Sequence, residues 1–197
     1  MNTIVLLPVL LPVIIGIGIL IGKESKRKND LLVITGLGLS ISAATVFYVL
    51  SLGELKFTFF NLTKELAIYY HIDGIGKIFA VIITLVWVLG GFFSFIYMKH
   101  EHKHKRYYGF YLIVFGILIS LAFSGNIITF YFFYELMTIL STPLVFHSQT
   151  KPAIMAGLKY LFYSFCGAYM VLFGIYFLTP TQNLKLLRYE IQRSFHI

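Results

Sequence analysis

One acid stands in the middle of an otherwise greasy helix. The stretch "ITFYFFYELMTILSTPLVFH" runs from Ile128 to His147 and holds Glu135 among apolar, aromatic and hydroxyl residues. A charge near the bilayer midplane costs about 3 kcal/mol even on the most lenient insertion scale. Such residues face a bundle interior or a water cavity, and they carry protons or ions. At helical spacing Tyr131, Glu135, Thr138 and Thr142 fall on one stripe, a polar lining for a wetted path. The alternative is a protonated acid that only packs helices together.

Lys159, in "AIMAGLKYLFYSF", is a second ionisable residue inside an apolar run. At 1.5 Å per residue it lies about 9 Å inside its helix, and Glu135 about 16 Å from the same side, a height gap of about 7 Å. Side chains lean toward the N-terminus of their own helix, which tilts Lys159 inward and Glu135 outward. A water-mediated pair is therefore expected rather than a direct ion pair. A lysine that snorkels to the headgroups is the competing reading.

Other chemistry-bearing residues have plainer readings. Asp73 and Gly74 open an apolar helix with Lys77 one turn on, which reads as an N-cap followed by an i,i+4 lysine. His100, His102 and His104 alternate as in metal-binding tracts, but Lys99, Lys105 and Arg106 repel a cation, so a solvated loop is expected. Cys166 is the only cysteine, which excludes an intrachain disulfide and a CxxC site. "NLT" at 61–63 is a glycosylation triplet without supporting context, and Gly18–Gly22 is a weak GxxxG packing match. Nothing resembles a phosphate-cradling loop, a nucleophile with its base or paired metal ligands. No catalytic site, metal or cofactor is expected.

The elements that position these residues follow from composition. The chain of 197 residues is 58% hydrophobic and 12% charged, with a mean hydropathy of +0.84. A soluble surface of that size needs about twice the charge, so most of this surface faces lipid and the chain is an all-α integral membrane protein. Six stretches approach the roughly 20 residues needed to cross: Thr3–Gly22, Leu31–Leu52, Gly74–Met98, Gly109–Ser124, Ile127–Phe146 and Ala153–Leu178. The fourth is short, and "SGN" at 124–126 makes a tight turn into the fifth, so these two are antiparallel neighbours. Pro8 and Pro12 kink or stiffen the first. The segment 53–72 partly alternates polar and apolar residues and predicts an outer hairpin or an interfacial element. Residues 1–178 read as the helical bundle and 179–197 as a polar tail too short in apolar length to cross again.

The net charge of +8 points to headgroups rather than nucleic acid, because the basic residues sit in short loops. The loops 23–30, 99–108 and 147–152 carry nine Lys or Arg against two on the opposite side, or five once the tail is counted. This predicts an outside N-terminus, with those three loops cytoplasmic. The first apolar stretch is too long, and its start too poor in basic residues, for a cleaved signal peptide.

"FYFFYELMTILSTPLV", followed by a short loop and "AGLKYLFYSFCGAYMVLFGIYFL", resembles the antiporter-like membrane subunits of respiratory complex I. Their relatives are large subunits of Mrp-type sodium/proton antiporters and of membrane-bound hydrogenases. "HIDGIGKIFAVIITLVWVLGGFFSFIYM" is similar to that family's third helix, which opens on an Asp-Gly pair. The resemblance covers roughly residues 1–178. It implies the first six helices of a fourteen-helix fold built on two inverted repeats with broken helices. It also implies that Glu135 stands at the fifth-helix glutamate, which tunes a proton-carrying lysine, and Lys159 at a sixth-helix lysine. The family's key lysine lies on a seventh helix, beyond the six found here. A truncated or frame-shifted gene product, with a tail outside the family pattern, or a naturally split subunit is then expected.

The function expected is that of an N-terminal part of a proton- or cation-translocating subunit in a prokaryotic cell membrane. Its partners would be other membrane subunits of a complex I, Mrp or hydrogenase-type assembly, the lipid bilayer, and protons or sodium ions. Any NADH-quinone oxidoreductase or hydrogenase chemistry would reside in those partners. An independent six-helix permease and a non-transporting scaffold are the competing classes.

Overall fold

The computed structural model describes the backbone of residues 3–22, 28–61, 67–98 and 104–194, and the side chains of those up to 177 except 28, 29 and 61. The segments 23–27 and 99–103 with His100 and His102, residues 62 and 63 and the Asn61 side chain of the triplet, and the side chains of the tail lie outside the described residues. Among the described residues, six helices have the length and composition to cross a membrane. They are α1 (Leu7–Ile21), entered through a 3-10 turn at Thr3–Leu6, α2 (Lys28–Ser51), α3 (Gly74–Tyr97), α4 (His104–Ala122), α5 (Ile127–Val145) and α6 (Lys151–Ser194). Between α2 and α3 the chain forms the antiparallel hairpin β1 (Leu55–Asn61) and β2 (Ala67–Ile72). The chain divides into two compact units, Met1–Leu161 and Phe162–Ile197, the boundary falling within α6.

Two helix starts differ from the sequence expectation. α4 begins at His104 rather than Gly109, and α2 at Lys28 rather than Leu31, so the basic residues there are helical rather than loop. At α4 the reason is local. Lys105 Nζ donates to the Gly22 carbonyl at the end of α1, and Arg106 Nη2 donates to the Pro143 and Phe146 carbonyls at 3.3 and 3.2 Å. The last carbonyls of a helix lack intrahelical donors and carry partial negative charge. Two cations in the first turn of α4 thus close the ends of both helices flanking it.

α4 is the most enclosed helix, packed against α1, α3 and α5. Its contact with α1 is nearly backbone to backbone. A Cβ on Gly116 would stand 2.6 Å from the Val9 carbonyl oxygen, and one on Gly16 would stand 2.6 Å from the Gly109 carbonyl oxygen. Small residues permit such approach in membranes, where packing rather than the hydrophobic effect joins helices. The glycine pair anticipated at Gly18–Gly22 does not serve this purpose, since a Cβ on Gly18 would meet open space. α3 meets α4 through a reciprocal pair: Trp87 Nε1 donates to the Tyr111 carbonyl at 3.0 Å, and the Tyr111 hydroxyl donates to the Trp87 carbonyl at 2.6 Å. Their rings stack at 4.9 Å.

The expected hairpin is present and is docked on the α4–α5 turn. His71 N donates to the Phe123 carbonyl at 2.8 Å and Gly125 N to the Tyr69 carbonyl at 3.0 Å, which extends the sheet by one short strand-like edge. Asn126 joins both parts: its Oδ1 accepts from Thr129 N at 2.7 Å, capping α5, and its Nδ2 donates to the Ala67 carbonyl at 2.7 Å. α4 and α5 are thereby antiparallel neighbours, as the "SGN" turn predicts. Tyr70 is fully buried there among Phe59, Phe123 and Phe133. Burial raises its phenol above the usual range, so it stays neutral.

Asp73 caps α3, its Oδ1 accepting from Gly76 N at 2.6 Å. Gly76 lies against the end of α4, where a Cβ would stand 2.6 Å from the Ala122 carbonyl oxygen, whereas Gly74 faces open space. The cap reading of this helix start is thus the one the geometry carries.

Two stability outcomes follow. Gly116→Ala should lower detergent-solubilised stability by about 1–3 kcal/mol, because a methyl there forces two backbones apart, while Gly18→Ala stays within about 0.5 kcal/mol of the parent. Thermal unfolding of the two variants side by side checks this, and equal losses would contradict the packing described. Asp73→Ala should lose about 1 kcal/mol and Asp73→Asn much less, because asparagine caps as well as aspartate. An Asn variant as unstable as the Ala variant would mean that the charge, not the cap, matters.

Candidate functional site

α5 is held at both ends, by Asn126 at its start and by Arg106 at its finish. Arg106 also lies over the Phe146 ring, 5.8 Å from its centroid. Pro143, inside the last turn, supplies no backbone N–H, so the helix is weakened close to where Arg106 grips it. Glu135 sits midway between these fixed ends and is half-buried.

The stripe read from sequence divides on inspection. Tyr131 is half-buried, while Thr138 and Thr142 are buried. The Thr138 hydroxyl donates to the Tyr134 carbonyl at 3.1 Å and the Thr142 hydroxyl to the Thr138 carbonyl at 2.8 Å. The same back-bonding satisfies most of the other buried serines and threonines: Thr35 to Leu31, Ser42 to Gly38, Thr84 to Ala80, Ser94 to Gly91 and Ser120 to Gly116. Within an apolar bundle this is how a hydroxyl is accommodated without a partner helix. Glu135 is different in kind. No hydrogen bond or ion pair joins its carboxyl to a described residue.

α6 meets the end of α5 along a narrow line. A Cβ on Gly157 would stand 2.4 Å from the Phe146 ring, and the Tyr160 hydroxyl lies 3.1 Å from Ser141 Oγ. Lys159 is exposed and is not on that line. At about 100° per residue it stands about 100° round the helix from Tyr160 and about 160° from Gly157. Glu135 and Lys159 therefore lie on consecutive helices but are not brought into contact within this chain.

Sequence reasoning did not single out Arg106 as the residue closing α5, nor the Ser141–Tyr160 contact. A signal for the first was present in the helix that begins just before it, since a cation in a first turn must find carbonyl oxygens from elsewhere. The second pairs two residues that look ordinary in sequence. Among the described residues no group of three or more His, Cys, Asp or Glu is placed to hold a metal ion.

Comparisons with known proteins bear on the same helices. Residues 124–193, which span α5 and most of α6, match the family model described as NADH:quinone oxidoreductase/Mrp antiporter, TM. The Na(+)/H(+) antiporter subunit A1 of Staphylococcus aureus strain JH9 and that of strain Newman are each 28% identical over 129 residues, 64% of this chain and 16% of theirs. The chain thus spans 16% of the length of these curated relatives. Among solved structures, a chain of the membrane-bound sulfane sulfur reductase, an archaeal respiratory membrane complex, matches with a TM-score of 0.62 at 19% identity. The match covers 85% of this chain and 26% of that one. That likeness shows the fold. Over α5 and most of α6, and in its similarity to an antiporter subunit, this chain is similar to the antiporter-like membrane subunits of the NADH:quinone oxidoreductase/Mrp family.

Proposed function

We propose that this chain acts as an N-terminal part of a proton- or cation-translocating antiporter-like subunit, with Glu135 as the titratable group of its ion path. One observation carries the reading. Apart from Asp30 at the first residue of its span, Glu135 is the one acid within the six spans, and its carboxyl has no hydrogen-bond or ion-pair partner among the described residues. An acid that served packing alone would be expected to find a donor on a neighbouring helix, as buried polar groups do. An acid that exchanges a proton or cation needs accessible lone pairs instead.

Lys159 is the second ionisable group of this path, displaced from Glu135 around and along the helix pair, so that water or a group from a partner links the two. Tyr131 borders the carboxylate on its own helix. Thr138 and Thr142 contribute hydroxyl oxygens that retain a lone pair for water. The partners implied are other membrane subunits, with protons or sodium ions as cargo, and any redox chemistry belongs to those partners. The name of the Staphylococcus aureus relatives, an antiporter subunit, supports the cation reading.

In a reconstituted complete assembly, Glu135→Gln keeps shape and removes the charge. Proton or sodium translocation should fall about a hundredfold or more, the loss typical of removing a positioned acid–base group, while the assembly forms in parental yield. A variant that assembles and translocates at the parental rate would leave the acid as packing. The orientation proposed is an outside N-terminus with loops 23–30, 99–108 and 147–152 cytoplasmic, supported by the basic-residue asymmetry. In a Cys166→Ser background, a membrane-impermeant thiol reagent applied to intact cells should reach Asn61→Cys and not His102→Cys. The opposite labelling would reverse the topology.

A further inference from the structure

The Ser141–Tyr160 contact has a direction that its distance alone does not give. Ser141 Oγ donates to the Thr138 carbonyl at 3.1 Å, so its single hydrogen is already committed. The hydrogen in the 3.1 Å contact with Tyr160 must then come from the tyrosine. The chain of bonds runs from the Tyr160 hydroxyl to Ser141 Oγ and ends on a backbone carbonyl of α5. A carbonyl cannot pass a proton on, so the pair is no relay. It is an anchor.

What it anchors is the rotation of α6. Gly157 and Tyr160 are one turn apart and together define the line along which α6 meets α5. The glycine lets the helix approach the Phe146 ring but fixes no angle, because a glycine–ring contact slides. The hydroxyl pair fixes the angle. With that angle set, Lys159, the next residue back from Tyr160, is aimed away from α5 and from Glu135. We propose that Tyr160 is a positioning residue, whose hydrogen bond to Ser141 sets where Lys159 presents its charge relative to Glu135. This rests on the reading of Glu135 and Lys159 as groups of one ion path. It goes beyond that reading by assigning the distance between them to a hydroxyl pair outside the ion path.

The test uses the full membrane assembly. Tyr160→Phe keeps the ring and removes the hydroxyl, and Ser141→Ala removes the acceptor. Each should slow translocation about fivefold, the factor corresponding to one interhelical hydrogen bond in a membrane. Each should also shift the pH of half-maximal rate by about half a unit or more, because the proton affinity of a charge depends on its distance from its neighbours. The double variant should add nothing to either single one, and Ser141→Thr, which restores a hydroxyl, should return the parental pH profile. A loss of stability alone would move the rate but not the pH profile. Singles that leave the profile at its parental position, in an assembly that Glu135→Gln inactivates, would overturn the positioning role and leave the ion path standing. The rotation is read independently by the rate at which a membrane-permeant maleimide labels Lys159→Cys in a Cys166→Ser background. Adding Tyr160→Phe should change that rate severalfold. An unchanged rate would overturn the proposal whether or not Glu135 proves functional.

Discussion

The approach of α1 to α4 at Gly16, Gly109 and Gly116 is the contact on which the rest of this bundle depends. With carbonyl oxygens where side chains would otherwise stand, α4 has one setting against α1. Its other faces then address α3 and α5. The Trp87–Tyr111 exchange ties α3 to it by two hydrogen bonds into backbone carbonyls. At one end of α4, Lys105 and Arg106 close the termini of α1 and α5. At the other, Phe123 and Gly125 take hydrogen bonds with the hairpin, and Asn126 starts α5. The links at the two ends of α4 satisfy backbone groups that helix ends and strand edges leave unpaired. The helix at the centre therefore sets both ends of α5, and with them the depth of Glu135.

The same demand explains why polarity alone is a poor guide to function in this chain. Buried threonines and serines are numerous, and most of those described are satisfied by the turn before them. A carboxyl in mid-helix cannot reach back as readily as a short hydroxyl, and its charge needs more than one donor. Glu135 is accordingly a residue whose presence the packing of this chain does not explain. The arginine and lysine of α4 show the contrasting case: cations whose partners are entirely structural.

The six spans were legible in the sequence because a stretch long enough to cross lipid must be continuously apolar, and their limits were read to within a few residues at most ends. α4 was the exception. Its first turn is basic, and only the carbonyls of Gly22, Pro143 and Phe146, contributed by helices distant in sequence, allow it to be helical. The hairpin and the tight turn at 124–126 were also legible, from alternation and from the shortness of the "SGN" link, whereas the Asn126 cap of α5 was not. Which glycines lie in a helix contact was not, since Gly18 and Gly16 look alike until α4 is placed beside one of them. The helical spacing of Tyr131, Glu135, Thr138 and Thr142 is visible in the sequence, yet which of them are buried and what their hydroxyls bond depends on three-dimensional neighbours. The rotation of α6, which turns Lys159 off the line of contact with α5, rests on a single tyrosine–serine pair that no periodicity reveals.

The ion-path account stands on the protonation of one carboxyl, which infrared difference spectroscopy reads directly in the reconstituted assembly. As pH or sodium concentration is stepped, a carboxylic C=O stretching band should appear or vanish, and that band should be missing from Glu135→Gln. A spectrum in which no carboxyl band responds to either step, or in which the responding band survives in Glu135→Gln, would contradict it.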